Sequence, residues 1–200
     1  MEIYGTPTSP YTRIARIVAY ELGFSLPLRE LSWREDAGTL FEANPAGRIP
    51  LLVDGDLRIG ESRVICNYLM EHDGAAQSES FRPLRGASRW DEEGLLNTLY
   101  GAIDSFAVIR FFGDPSGESH SYFARSRERI DQCFLAIDQI AARHYLVDPD
   151  HFGMAEAALI TAVDAIEGRK VADLGEYKNV GAIRTRFMDR ESILETVADF

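Results

Sequence analysis

Two predicted helix starts in the first third of the chain combine a hydroxyl or carboxylate side chain with free backbone N–H groups. Ser9 precedes Pro10, and serine is a favoured N-cap while proline suits the first helical position. Glu61 precedes Ser62 at the second start, where free N–H groups and the helix dipole favour a bound anion. A hydroxyl donor at such a terminus can also hydrogen-bond a thiolate and lower the pKa of its thiol. The alternative at both positions is a plain helix cap.

Other common catalytic arrangements do not appear in the sequence. It contains no G-x-S-x-G, no glycine-rich phosphate loop and no C-x-x-C. The two cysteines, Cys66 and Cys133, lie in apolar periodic stretches, so we expect buried free thiols. We predict no metal site, because no metal-ligand spacing links the four histidines, which are His72, His120, His144 and His151.

The elements that would position these residues alternate between strands and helices over residues 1–75. Apolar residues at helical spacing follow Ser9 and end at Gly23, and Asp54-Gly55 is typical of a hairpin turn. The order is β-α-β-α-β-β-α, which predicts an α/β domain with a mixed four-stranded sheet. After a linker at 73–86 the strand signals vanish, and residues 84–200 predict an all-helical domain with helices over 90–112, 121–143 and 153–166 and a weaker one near 189–197.

The charge of the chain limits its partners. Its formal net charge is −11 and its sequence pI is about 4.8. This charge disfavours binding to nucleic acids and to anionic lipid surfaces. The longest uninterrupted apolar runs fall short of a membrane span, and the chain starts on a strand-like run and not on a signal sequence. We therefore predict a cytoplasmic protein with no nucleic acid or membrane partner.

Four motifs in this order and spacing resemble the cytosolic glutathione transferase superfamily, in its serine-type, bacterial-like form. They cover about the first 75 residues: Ser9-Pro10-Tyr11-Thr12-Arg13, Asn44-Pro45-Ala46-Gly47-Arg48-Ile49-Pro50, the hairpin at Asp54-Gly55, and Glu61-Ser62 followed by Ile65 and Tyr68-Leu69. The resemblance implies a thioredoxin-like domain at 1–75 that binds glutathione. It also implies that the helical domain at 84–200 contributes the pocket of a second, electrophilic substrate.

The resemblance implies a role for each end of glutathione. Glu61 and Ser62 would hold the γ-glutamyl end, and the backbone of Ile49, next to a cis bond to Pro50, would pair with the cysteinyl segment. Ser9 would donate a hydrogen bond to the glutathione sulfur and so stabilise the thiolate. The candidates for the glycyl carboxylate are Trp33, Arg34 and Arg48.

Ser9 stands where some relatives carry cysteine. Because serine cannot form a mixed disulfide with glutathione, this residue disfavours redox chemistry through a protein thiol. Arg13, four residues further on, is expected on an exposed face or paired with an acid.

The helical part resembles the family less closely. Gly153 and Glu156 stand where the family usually has a Ser or Thr and, three residues later, an Asp that together form a capping box. The resemblance places the electrophile against the first long helix of this part. We expect Tyr11, Phe106 and Arg110 to line that pocket, with core packing as the alternative for Phe106 and Arg110.

These inferences predict a glutathione transferase that activates the glutathione thiol for attack on a small hydrophobic electrophile, as in detoxification. Glutathione would be a co-substrate, and a homodimer is expected from the resemblance. One alternative is a glutathione-dependent isomerase or reductase that uses the same site. Another is a non-catalytic binding or assembly module of the same fold.

Overall fold

The structure is a computed structural model that describes residues 1–31, 36–75, 81, 86–112 and 121–200. Along the chain its strands and helices are β1 (Glu2–Gly5), α1 (Pro10–Glu21), β2 (Leu28–Glu30), α2 (Ala37–Ala43), β3 (Leu51–Asp54), β4 (Leu57–Gly60), α3 (Ser62–Glu71), α4 (Ala87–Phe112), α5 (Ser121–Ala141), α6 (Met154–Gly168), α7 (Lys178–Phe187) and α8 (Glu191–Leu194). The chain divides into two compact units, of which the first comprises Met1–Arg82 and Arg190–Asp199 and the second comprises Pro83–Asp189 and Phe200.

The first unit is built on a mixed four-stranded sheet with the strand order β2-β1-β3-β4. β1 pairs in parallel with β2 and antiparallel with β3, and β3 pairs antiparallel with β4. Ile3 at the centre lies opposite Leu28 on one side and Leu52 on the other, and both Ile3 and Leu52 are fully buried. The predicted element order and the predicted sheet are therefore confirmed.

Helices α1 and α3 pack against each other and onto the sheet. Ile14, Ile17 and Val18 recur at helical spacing along α1 and are completely buried, as are Ile65 and Leu69 of α3. Each such side chain contributes roughly 1.5–3 kcal/mol by leaving water. This burial fixes α1, and with it the residue that caps its N-terminus.

The second unit is all-helical, as the sequence predicts, and α6 is its most buried helix. Nearly every side chain of α6 is buried, and small residues such as Ala155, Ala158 and Ala162 let α4 and α7 approach it closely. Asp138 of α5 accepts hydrogen bonds from the backbone N–H groups of Asn179 and Val180, at 2.8 and 3.0 Å. A carboxylate of one helix therefore caps the N-terminus of α7.

Helix α4 is longer than the uninterrupted apolar runs of the sequence, because polar and charged residues interrupt its apolar stretch. Among the described residues it is one helix whose length and composition alone would allow a span, and half of its most apolar stretch is buried inside the protein. A core helix of a globular protein has the same properties.

Residues 190–199 belong by their contacts to the first unit, although the sequence analysis assigns them to the helical domain. Arg190 donates to both carboxylate oxygens of Glu21 at the end of α1, at 2.9 and 2.7 Å, and the Ser192 hydroxyl donates to the same carboxylate. Arg13 is not on an exposed face, since it is only 1% exposed and donates to the Thr196 hydroxyl and the Ile193 carbonyl at 3.5 Å. The C-terminal segment is thus held along α1 by buried polar contacts.

Replacing Arg190 with alanine tests this attachment. Glu21 would keep a largely buried carboxylate without its cation, so we expect the free energy of unfolding to fall by about 2 kcal/mol. Urea unfolding of the full chain measures the change, and Arg127→Ala at an exposed position of α5 is the matched control. A loss no larger than that of the control would show that the ion pair does not hold the segment.

Candidate functional site

The register of three strands brings the predicted site segments to one edge of the sheet. Tyr4 of β1 lies opposite Leu51 of β3, and Leu51 lies opposite Gly60 of β4. Because neighbouring strands in this row are antiparallel, the residues one step beyond it, which are Gly5, Pro50 and Glu61, lie at the same edge. The loop to Ser9 leaves from Gly5.

Ser9 is the N-cap of α1 and is half-buried. Its Oγ accepts a hydrogen bond from the backbone N–H of Thr12 at 3.3 Å, and its own N–H donates to the Thr6 carbonyl at 3.1 Å. A serine hydroxyl has one donor hydrogen besides its acceptor lone pairs. The cap uses an acceptor position, so capping the helix and donating to a ligand are compatible roles for Ser9.

A close contact between Gly5 and Thr12 brings the start of α1, and with it Ser9, near the end of β1. Gly5 ends β1 so near to Thr12 that a Cβ at Gly5 would collide with the Thr12 hydroxyl and lie 2.8 Å from its Cγ2. Thr12 is completely buried, and its Oγ1 has no hydrogen-bond partner. A glycine at position 5 therefore lets the first turn of α1 sit directly against the end of β1.

The segment before β3 is held by Asn44, which ends α2. The Asn44 side-chain amide donates to the Arg48 carbonyl at 2.7 Å, and its oxygen accepts from the Ala46 N–H at 3.1 Å. Gly47 in this turn has a φ of +60°, which favours glycine. The peptide bond between Ile49 and Pro50 is cis, as the resemblance implies.

Glu61 precedes α3 with an unusual backbone conformation. Its φ of +68° is uncommon for a residue with a side chain, and such residues cluster at functional sites. Its side chain makes no capping hydrogen bond to α3, so the plain-cap alternative does not account for the carboxylate. Ser62, at the first position of α3, is buried. The start of α3 and the Glu61 carboxylate together offer hydrogen-bond donors for a carboxylate and an acceptor for an ammonium group.

Asn44 also lies between the segment before β3 and the end of β4. Its side-chain nitrogen lies close to Gly60, where a Cβ would be 3.1 Å away, and Gly60 directly precedes Glu61. Nearby, the Arg48 guanidinium is 3.6 Å from the Glu61 carboxylate, with both side chains largely exposed. The sequence pattern predicts a turn at Asn44, but its bracing contacts have no signal in that pattern.

The remaining predicted site residues lie on α1, on α4 of the second unit, or outside the described residues. Trp33 and Arg34 fall outside the described residues. Tyr11 is half-buried on α1. In the second unit Phe106 is buried within α4, as the core-packing alternative expects, and Arg110 is exposed beside Phe111. The pocket role of Tyr11, Phe106 and Arg110 stays a prediction.

Neither cysteine has the environment of a nucleophile. Burial raises the pKa of Cys66 to about 12, and burial also raises the pKa of the half-buried Cys133. A reactive thiolate needs a lowered pKa and access to solvent. The prediction of a buried free thiol is confirmed for Cys66, whereas Cys133 is only half-buried.

Comparison with known proteins relates these observations to a family. Residues 3–77 match the family model for the glutathione S-transferase N-terminal domain. A stringent starvation protein A homolog of Coxiella burnetii is 38% identical over 71 residues, which are 36% of this chain and 34% of that protein. The alignment with this relative therefore spans about a third of its length. Glutathione S-transferase D7 of Drosophila melanogaster is 24% identical over 189 residues, which are 90% of this chain and 80% of that protein.

A solved structure agrees with the fold over the whole chain. The glutathione S-transferase of Methylobacterium radiotolerans in complex with glutathione sulfonate superimposes with a TM-score of 0.86 at 22% identity, covering 100% of this chain and 96% of that one. The fold of this protein is therefore the glutathione transferase fold, with a thioredoxin-like domain followed by a helical domain.

Asn44→Ala tests how the cis-proline segment is held. Two side-chain hydrogen bonds would be lost, and we expect the free energy of unfolding to fall by about 1–2 kcal/mol. Asn44→Asp is the second variant, because it keeps the acceptor for the Ala46 N–H and replaces the donor to the Arg48 carbonyl with a second oxygen. Thermal unfolding should place both variants below the wild type. Equal stability of all three would exclude a bracing role.

Proposed function

We propose that this protein binds glutathione at the sheet edge defined by Gly5, Pro50 and Glu61, and activates its thiol for transfer to a small hydrophobic electrophile. The observation that carries the proposal is the placement of Ser9. Its hydroxyl caps α1 through a lone pair and keeps its hydrogen for a ligand, at the edge where the cis-proline segment and the start of α3 also lie. The match of residues 3–77 to the glutathione S-transferase N-terminal domain supports the same ligand.

Each part of glutathione has a partner of fitting chemistry at this edge. The γ-glutamyl carboxylate would accept from the first N–H groups of α3 and from Ser62, and the γ-glutamyl ammonium would donate to Glu61. The cysteinyl segment would pair with the backbone of Ile49, next to the cis bond to Pro50. Trp33, Arg34 and Arg48 stay the candidates for the glycyl carboxylate; the Arg48 guanidinium, 3.6 Å from the Glu61 carboxylate, would have to leave that ion pair to reach the glycyl end.

Activation of the thiol would depend on Ser9. A free thiol titrates at about pH 8.5, so only a few per cent is thiolate near neutral pH. A hydrogen bond from the Ser9 hydroxyl and the positive end of α1 would both stabilise the thiolate and lower its pKa. The serine remains protonated, since its function is to donate the hydrogen bond.

Two residue choices argue against redox chemistry through a protein thiol. Ser9 cannot form a mixed disulfide, and Cys66 is completely buried with its pKa raised to about 12. Conjugation is therefore favoured over reduction by a protein cysteine. Isomerisation would use the same glutathione thiolate and the same binding residues at this edge. We further propose that the protein is a cytoplasmic homodimer, as expected from the resemblance.

A non-catalytic binding module is the second candidate. A specific observation favours it: one relative at 38% identity over 71 residues carries the name stringent starvation protein A homolog and not the name of a transferase. Retention on immobilised glutathione separates the candidates. A folded protein that is not retained would contradict the transferase proposal.

Ser9→Ala tests the thiolate donor. We expect glutathione affinity to stay near that of the wild type, while kcat for conjugation of a model aromatic halide falls roughly a hundredfold, as when one preorganised donor is removed. At saturating glutathione, the pH profile of kcat/KM for the electrophile should shift upward toward the free thiol's pKa of about 8.5. Initial rates across pH measure both effects.

Two further variants act as controls for Ser9→Ala. Ser9→Gly removes the same hydroxyl but costs the helix only a few tenths of a kcal/mol, so its kcat should fall equally. Thr8→Ala removes the neighbouring hydroxyl and should leave kcat unchanged. An unchanged kcat in Ser9→Ala with a loss in Thr8→Ala would move the donor role to Thr8.

Glu61→Gln tests the γ-glutamyl subsite. The amide keeps an acceptor oxygen but loses the charge that would pair with the ammonium, so KM for glutathione should rise about tenfold with little change in kcat at saturation. Glu71→Gln at the exposed end of α3 is the matched control. If both variants gave the same KM as the wild type, Glu61 would not contact the ligand.

A further inference from the structure

Three ionisable side chains converge at the start of α6 in the second unit. They are Glu92 of α4, His151 just before α6, and Glu156 in the first turn of α6. A carboxylate oxygen of each glutamate and a ring nitrogen of His151 all lie within 4.8 Å of one another. His151 and Glu156 are 3% and 1% exposed. The His151 Nε2 is 3.8 Å from the nearest Glu92 oxygen, which is too long for a hydrogen bond.

His151 has a polar atom without a partner in this cluster. Its Nε2 is buried and has no hydrogen-bond partner, although it faces Glu92. A buried unpartnered polar atom costs about 1–3 kcal/mol. The His151 imidazole and the two carboxylates therefore do not form a complete hydrogen-bond network.

Gly153 makes room for this convergence. A Cβ at Gly153 would collide with the His151 Nε2 and lie 2.8 Å from the nearest Glu92 oxygen. The Gly153 N–H instead donates to the Glu156 carboxylate at 2.9 Å, which is the half of a capping box that needs no hydroxyl at the N-cap. Gly153 and Glu156, the two residues that depart from the family's usual capping box, thus lie where Glu92 and His151 come together.

The charges of the cluster do not balance without an added proton. With both carboxylates ionised and the imidazole neutral, two negative charges would be buried side by side, which is unfavourable in a protein interior. We propose that Glu92, His151 and Glu156 form a buried proton-binding site that takes up one proton when the protein folds.

Glu156 is the group that holds this proton. Burial raises its pKa to about 7, and the charge of Glu92 adds to the rise, while the hydrogen bond from the Gly153 N–H acts in the opposite direction, as would a positive charge on His151. Helix α7 also packs on α6, and its Arg184 pairs with Asp164, eight residues beyond Glu156. Within the part of the chain that the structure describes, the charged or titratable side chains that face Glu156 are Glu92 from α4 and His151 from the preceding segment.

A proton fits the cluster better than a metal ion. A structural Zn²⁺ takes four ligands, and the described residues bring only three candidate ligand atoms together here. One of these carboxylates already accepts from the Gly153 N–H. A proton needs no further ligand.

The sign of the pH effect follows from the direction of the shift. The folded-state pKa of Glu156 is raised to about 7 from an ordinary value of 4.5, so between these values the folded protein binds more protons than the unfolded chain. Stability from this group is therefore greatest at low pH and is lost as the pH rises through about 7. Between about pH 6 and about pH 8 this single group lowers the folding equilibrium constant roughly tenfold.

The test compares wild type with Glu156→Gln in full-length protein without added metal. The amide is neutral and keeps an oxygen that can accept from the Gly153 N–H, so it mimics the protonated acid. We expect urea unfolding to show that Glu156→Gln lacks the roughly tenfold loss between about pH 6 and about pH 8 and is more stable than wild type at the higher pH. Glu167→Gln, at an exposed position of α6, should keep the pH dependence of the wild type.

A spectroscopic signature accompanies this result. The infrared carbonyl band of a protonated carboxylic acid should be present in the wild type at about pH 6, diminish toward about pH 8, and be missing from Glu156→Gln. A variant that fails to fold, or that is less stable than wild type at about pH 8, would overturn the proposal. Stabilisation of the wild type by stoichiometric Zn²⁺ alone, lost in Glu156→Gln, would also overturn it in favour of a metal site.

Discussion

The register of β1, β3 and β4 is the constraint on which the candidate site depends. The row formed by Tyr4, Leu51 and Gly60 puts the loop to Ser9, the cis-proline segment and the start of α3 at one sheet edge. Since a slip of one residue would turn each side chain of a strand to the other face of the sheet, the buried pair Ile3 and Leu52 also secures this register. Burial of these apolar side chains thus fixes the register that brings Ser9, Pro50 and Glu61 to the same edge.

Local contacts then refine the positions of these groups. Gly5 lets Thr12 and the first turn of α1 approach the end of β1, and Asn44 joins the Arg48 carbonyl to the neighbourhood of Gly60. The C-terminal segment holds the other end of α1 through Arg190 and Glu21. Helix α1 is therefore anchored at both ends, which suits a helix whose N-cap would face a ligand.

Much of the first unit could be predicted from the sequence, because its signals are local. Ser9-Pro10 is a helix start, Asp54-Gly55 is a turn, and the order of strands and helices along the chain follows from motifs spaced along 75 residues. Arg13, Glu21 and Arg190 could not be assigned in this way, since their contacts join residues about 170 positions apart and leave no periodic pattern. The cluster of Glu92, His151 and Glu156 could not be predicted for the same reason, because Glu92 on α4 is distant in sequence from the other two residues.

The most direct test of the proposed function is the titration of glutathione bound to the protein. Ultraviolet difference spectroscopy follows the thiolate absorbance of bound glutathione as a function of pH. A thiol that titrates at least one unit below the free value of about 8.5 is the predicted result. Bound glutathione whose thiol titrates at the free value, or a folded protein that does not bind glutathione, would contradict thiol activation at Ser9.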